Sequence, residues 1–135
     1  MKKMIILALI ATATITGCKK ECGQWYEPEG KNCTDMRNKF YGTYLGVTVF
    51  DGQFTNTSTT LTANNDEGVI NWDSDLVLKL TGSTTVEIPL QHTTTNGTDI
   101  YVEGTGSLNE NQLVLTFNTT INNQVFATTF SGTKQ

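Results

Sequence analysis

From Tyr41 to the C-terminus, apolar and polar residues alternate, and short groups of Asn, Asp, Glu and Gly interrupt the pattern. A period of two puts every second side chain on one face of a strand, so the chain reads as successive antiparallel hairpins. The C-terminal pair constrains it most. Asn122-Asn123 supplies the two positive φ angles of a type I′ turn. That turn sets Ile121 against Gln124, Thr119 against Phe126, Phe117 against Thr128 and Leu115 against Phe130. Leu113, Leu115, Phe117, Phe126 and Phe130 then share one face, and a slip of one residue would scatter them.

The neighbouring turns follow the same logic. A two-residue turn at Glu110-Asn111 sets Leu108 against Leu113 and gathers Ile100, Val102, Gly104, Gly106 and Leu108 on the inner face. The two glycines leave room there for a bend or a bulky neighbour. Thr95-Asn96-Gly97 reads as a three-residue loop with Gly97 in the left-handed bulge position. This choice aligns Val86, Ile88, Leu90 and His92 with Ile100 and Val102, which a two-residue turn at Asn96-Gly97 would not do. Leu76, Leu78 and Leu80 form a further strand, residues 69–72 a short one, and Asp51-Gly52 turns between strands 44–50 and 53–62. The expected fold is all-β, an up-and-down antiparallel meander of about eight strands, which closes into a barrel because closure removes the edges.

Charge narrows the partners. Beyond Phe40 the chain has nine carboxylates and only two basic residues, Lys79 and Lys134. Such a surface repels phosphate and excludes nucleic acid. The other mature positive charges, Lys19, Lys20, Lys31, Arg37 and Lys39, cluster near the N-terminus, placed either against anionic lipid head groups or on a solvated tether.

The N-terminus is an export device. Lys2-Lys3 precede an apolar run of about a dozen residues, shorter than the about 20 a membrane-spanning helix needs. Ile15-Thr16-Gly17-Cys18 follows and resembles the lipobox of bacterial lipoproteins. The resemblance implies cleavage before Cys18, a signal peptide over residues 1–17, and a lipid on the Cys18 thiol. Lys19 stands where the family places Asp for inner-membrane retention, which implies the outer membrane. With Cys18 lipidated, Cys22 and Cys33 remain, and an oxidising compartment favours their disulfide. The loop so closed contributes about 3 kcal/mol in the chain-entropy model. Two thiols with no nearby His do not complete a zinc shell. Residues 18–33 are thus expected to be a lipidated, disulfide-bearing tether. Within it, residues 25–33 resemble the last loop of an EGF-like module, without that module's other cysteines.

Residues 34–135 form the expected barrel domain. Thr34 is placed to cap a short helix with Asp35 in its first turn, and Met36 and Phe40 share a face that closes one end of the barrel. The following Phe40-Tyr41-Gly42-Thr43-Tyr44 resembles the opening of lipocalin-type barrels, with Tyr44 where Trp is usual. That resemblance implies a lipocalin-like barrel and a ligand cavity. Its expected lining is Tyr44, Trp72, His92 and Phe117, with Phe54 a further candidate. The chemistry points away from an enzyme. His92 is the only histidine and has no placed Ser or Cys nucleophile. Glu87 and Glu103 fall on the outward face, which does not suit a glycosidase pair. The alternating oxygens of Asn64, Asp66, Asn71, Asp73 and Asp75 are read as turn chemistry rather than a calcium loop. The expectation is a non-catalytic outer-membrane lipoprotein, needing neither cofactor nor metal, that binds a small apolar or amphipathic ligand. The alternative is a structural or interaction module meeting an envelope protein, a glycan or a host hydrolase.

Overall fold

The computed structural model describes residues 21–135. The expected signal peptide and the expected lipidation site at Cys18 lie outside the described residues. The chain runs β1 (Tyr26–Glu29), β2 (Asn32–Asp35), a 3-10 turn (Met36–Lys39), then β3 (Gly42–Phe50), β4 (Gln53–Ala63), β5 (Val69–Trp72), β6 (Leu76–Leu80), β7 (Thr85–Thr95), β8 (Thr98–Asn109), β9 (Gln112–Ile121) and β10 (Gln124–Lys134). Among the described residues β1 and β2 pair only with each other, whereas β3–β10 form a closed antiparallel barrel in meander order. β10 closes it on β3, from Thr128 opposite Phe50 to Lys134 opposite Tyr44.

The expected C-terminal hairpin is present, with Asn122 and Asn123 at φ 50° and 63° and all four expected residue pairs in register. The Glu110-Asn111 turn likewise pairs Leu108 with Leu113. Gly104 sits opposite Phe117, and a Cβ there would come within 2.2 Å of the Thr116 carbonyl oxygen, so the strands close up on a bare backbone.

The turn between β7 and β8 differs from expectation. Thr95 pairs with Thr98, so the connection is the two-residue Asn96-Gly97 turn, with φ 50° and 75°. A β-bulge between Ile88 and Gln91 recovers the expected hydrophobic alignment for Val86 and Ile88, though not for Leu90 and His92. Two residues, Pro89 and Leu90, stand against Glu103 alone. Proline has no N–H to give a ladder and is accommodated at bulges, so Pro89 explains the extra residue. Beyond the bulge the faces exchange. Leu90 and His92 turn outward, while Gln91 and Thr93 face Val102 and Ile100. The strand also parts from β6, where only Leu80–Val86 and Lys79–Glu87 pair. The Gln91 side chain replaces the missing ladder, accepting from Val77 N at 2.8 Å and donating to Val77 O at 2.7 Å.

The N-terminal segment is more ordered than a tether. Residues 26–35 form the β1–β2 hairpin, and Cys22 and Cys33 are joined by a disulfide. The expected short helix is a single 3-10 turn capped by Asp35, whose Oδ1 accepts from Arg37 N at 2.9 Å. Thr34 instead donates across the hairpin to Glu29. Phe40 is fully buried and Met36 packs on the core, so this end of the barrel is stoppered as their spacing predicted.

Candidate functional site

The barrel has two unlike ends. At the end beside Phe40, the inner face is apolar and dense: Phe40, Tyr44, Leu61, Ile70, Leu78, Val86, Ile88, Leu113 and Leu115 are all 0–1% exposed. Three of the four residues expected to line a ligand cavity belong to this packing. Tyr44 is buried and donates its hydroxyl to the Phe40 carbonyl at 2.7 Å. The Lys134 ammonium lies 5.6 Å from its ring and donates to the Lys39 carbonyl. Trp72 meets Phe117 edge to face at 5.2 Å, a favourable aromatic geometry, and donates its indole N–H to Thr59 Oγ1 at 2.9 Å. The Thr59 hydroxyl donates in turn to Asp73 Oδ2.

His92 is on the outside. It packs on Tyr101 of β8 at 4.9 Å and its Nε2 lies 2.9 Å from Asp99 Oδ1. That contact, with the Thr94 hydroxyl, holds the Asp99 carboxyl below the usual carboxylate range. The bulge carried His92 outward, and Pro89 was the sequence signal for it. Phe54 is also on the outer face, 77% exposed.

Burial pushes the Tyr44 phenol up to about 12 from its ordinary 10.0. The folded protein therefore keeps a proton that the unfolded chain releases. This stabilisation is complete below about pH 10 and is lost as pH rises towards about 12, an effect on the order of 1–2 kcal/mol. Burial shifts Tyr41 in the same direction. Urea titrations at about pH 9 and about pH 11 should show the loss, and Tyr44→Phe should reduce it.

The opposite end is open and carries hydroxyls. Strand alternation puts Thr48 and Phe50 of β3, Thr55 and Thr57 of β4, Ile100 of β8, Ile121 of β9 and Phe126 of β10 on the inner wall. None of these is fully buried. Phe50 and Phe126 lie 5.1 Å apart, and Thr48 bonds Thr57 through its hydroxyl. A buried hydroxyl pair, Thr119 and Thr128 at 2.9 Å, separates this mouth from the apolar plug. β5 covers only Leu61, Thr62 and Ala63 of β4, so the wall is also cut away between residues 53–59 of β4 and the part of β7 beyond its bulge.

Several expected features have structural duties. Asn64 Oδ1 accepts from Asp66 N, Asn64 Nδ2 donates to Asn71 Oδ1, and Asn71 Nδ2 donates to the Ala63 carbonyl. Of the basic cluster, Arg37 is engaged by Asp35 and three carbonyls, and Lys39 pairs with Glu27 at 2.7 Å. Glu87 and Glu103 point to solvent, as expected from their register.

Fold and site together define an eight-stranded antiparallel barrel with one filled end and one open, hydroxyl-lined end. No protein-family model matches the chain, and neither the curated proteins nor the solved structures give a match.

Proposed function

We propose that this protein is a non-catalytic, lipid-anchored module of the outer membrane that takes a small amphipathic ligand in the open end of its barrel. The supporting observation is the contrast along the inner wall. Aliphatic and aromatic side chains fill one end, while the other keeps exposed hydroxyls around the Phe50–Phe126 pair. Pockets of this kind combine apolar walls with a few polar groups that orient the ligand. The Thr119–Thr128 hydroxyl pair forms the floor of the site, above the plug that holds Tyr44, Trp72 and Phe117, and His92 takes no part in it.

The anchor and the pocket are tested separately. Cys18→Ala should release the protein from membranes with the barrel still folded, read by cell fractionation and circular dichroism. The released protein should bind an apolar fluorophore such as anilinonaphthalene sulfonate saturably. Phe126→Ser should weaken that binding at least about tenfold, about 1.4 kcal/mol, without unfolding the barrel. Absence of saturable binding would refute the pocket. Continued membrane attachment of Cys18→Ala would refute the anchor.

A second reading, an interaction module for another envelope protein or glycan, is favoured by the exposed apolar residues Leu45, Val47 and Phe54 on the outer face of β3 and β4.

A further inference from the structure

β4 has a bare edge. Its pairing with β5 covers Leu61, Thr62 and Ala63, and among the described residues no strand lies along the rest of that side. The last contact is Asp73, which donates its N–H to Thr60 O and accepts from Thr60 N through Oδ1, both at 2.8 Å. Residues 53–59 therefore form a free edge seven residues long, and residues 53–58 are exposed on both faces.

The free backbone groups can be assigned. The two-residue Asp51-Gly52 turn makes Phe50 and Gln53 a hydrogen-bonded pair, and such pairs alternate along an antiparallel ladder. Gln53, Thr55, Thr57 and Thr59 thus bond to β3. Phe54, Asn56 and Ser58 present their N–H and C=O groups to the open side. Thr60, which shares their parity, bonds across that side to Asp73 as this assignment requires.

Natural sheets blunt such edges with Lys, Pro, bulges or inward charges. The facing strand β7 does so, with Pro89 and its bulge. β4 has none of these devices: Gln53-Phe54-Thr55-Asn56-Thr57-Ser58-Thr59 contains no charge and no proline and pairs with β3 without a bulge.

We propose that this edge is a docking site for a second copy of the same chain, pairing β4 to β4 antiparallel about a two-fold axis at Asn56. Three features of the edge select that occupant. The free span is symmetric about Asn56, so all three residues with free backbone groups find partners: Asn56 with Asn56, and Phe54 with Ser58 in both directions. The absence of charge means that self-pairing sets no like charges opposite each other. The outer face is self-complementary. Beside the edge lies a groove of about 520 Å³ lined by Leu45, Gly46, Val47, Asn56, Thr57 and Ser58. In this register the exposed Phe54 of each copy crosses the small Ser58 of the other and enters the groove over Leu45, which is 49% exposed in the monomer. Such an isologous contact closes on itself as a dimer.

The test is sedimentation equilibrium of the full chain carrying Cys18→Ala, over a range of concentrations, with circular dichroism on each variant. The expected result is a monomer–dimer equilibrium. Asn56→Pro, which removes a donor facing the edge and none facing β3, should raise the dissociation constant at least about a hundredfold. Ser58→Lys, which blocks the groove and sets a charge on the edge, should do the same without touching the ladder. Asn56→Cys should cross-link two copies on oxidation, whereas Asn65→Cys in the exposed β4–β5 loop should not. A chain that is monomeric throughout would overturn the proposal, even if it captures a different protein. So would a dimer that survives both Asn56→Pro and Ser58→Lys, or equal cross-linking at the two cysteine positions. Fluorophore binding in the mouth is read on the monomer, so either proposal can fail alone.

Discussion

Replacing Arg37 with alanine should lower the stability of the barrel by about 3 kcal/mol, although Arg37 lies outside the barrel strands. Its guanidinium makes paired contacts with the Asp35 carboxylate at 2.7–3.1 Å. It also donates to the carbonyls of Asn64, Asp66 and Val69 at 2.7–3.0 Å. One side chain thus ties the 3-10 turn to the β4–β5 loop. Beside it, the Trp25 carbonyl accepts from Met36 N, and the Trp25 ring covers Gly68 of that loop. Removing the guanidinium takes one donor from each of the three carbonyls and its paired contacts from the Asp35 carboxylate, which keeps the backbone N–H of residue 37. Lysine offers one compact ammonium and cannot reproduce the fork, so Arg37→Lys should recover less than half of the loss. Urea midpoints with unchanged slope would measure both.

The same pair sets an acid limit. The Arg37 hydrogen bonds hold the Asp35 carboxyl below its ordinary 3.8, against a smaller opposing effect of burial. Because its folded-state pKa is depressed, the contribution is present above about pH 4 and is lost as pH falls through the folded-state value. Arg37→Ala should therefore destabilise at neutral pH and flatten the acid side of the stability profile.

The second large effect is expected at Trp72. Trp72→Ala should cost about 3–5 kcal/mol, since it empties the centre of the plug and removes the edge-to-face contact with Phe117. Trp72→Phe keeps most of the volume and loses only the indole donor to Thr59, so about 1 kcal/mol is expected. Thr59 and Asp73 carry this contact on to the Thr60 backbone. Trp72→Ala should consequently loosen the point where β5 leaves β4, read as faster amide exchange at Thr60 and Asp73. Unchanged exchange there, with global stability reduced, would assign Trp72 to packing alone.

The legible parts of the fold were those governed by near neighbours. Asn122-Asn123 and Glu110-Asn111 each define a turn, and each turn defines a register that the hydrophobic alternation checks independently. Gly104 and Gly106 were readable as room on the inner face, and Phe117 and Leu115 are the residues opposite them. The fold was not legible where two local signals act together. Asn96-Gly97 and the apolar pattern of β7 conflict only if the strand is regular, and Pro89 resolves the conflict by admitting a bulge. The bulge therefore places His92 on the outer face, opposite to the one a regular strand would give. Tyr44, Trp72 and Phe117 were correctly turned inward, but which end of the barrel was filled depended on how eight strands stack their side chains.

Period-two patterning and turn chemistry are local, and by themselves they determined an all-β chain, its antiparallel meander, most of its registers and its stoppered end. Only the tertiary structure decided that Arg37 locks the β4–β5 loop from outside the barrel, that the inner wall divides into a plug and a mouth, and that β4 is left with a bare edge. Each of these depends on contacts between residues far apart in the chain, or on a partner strand that is too short. No periodicity within a single strand encodes either.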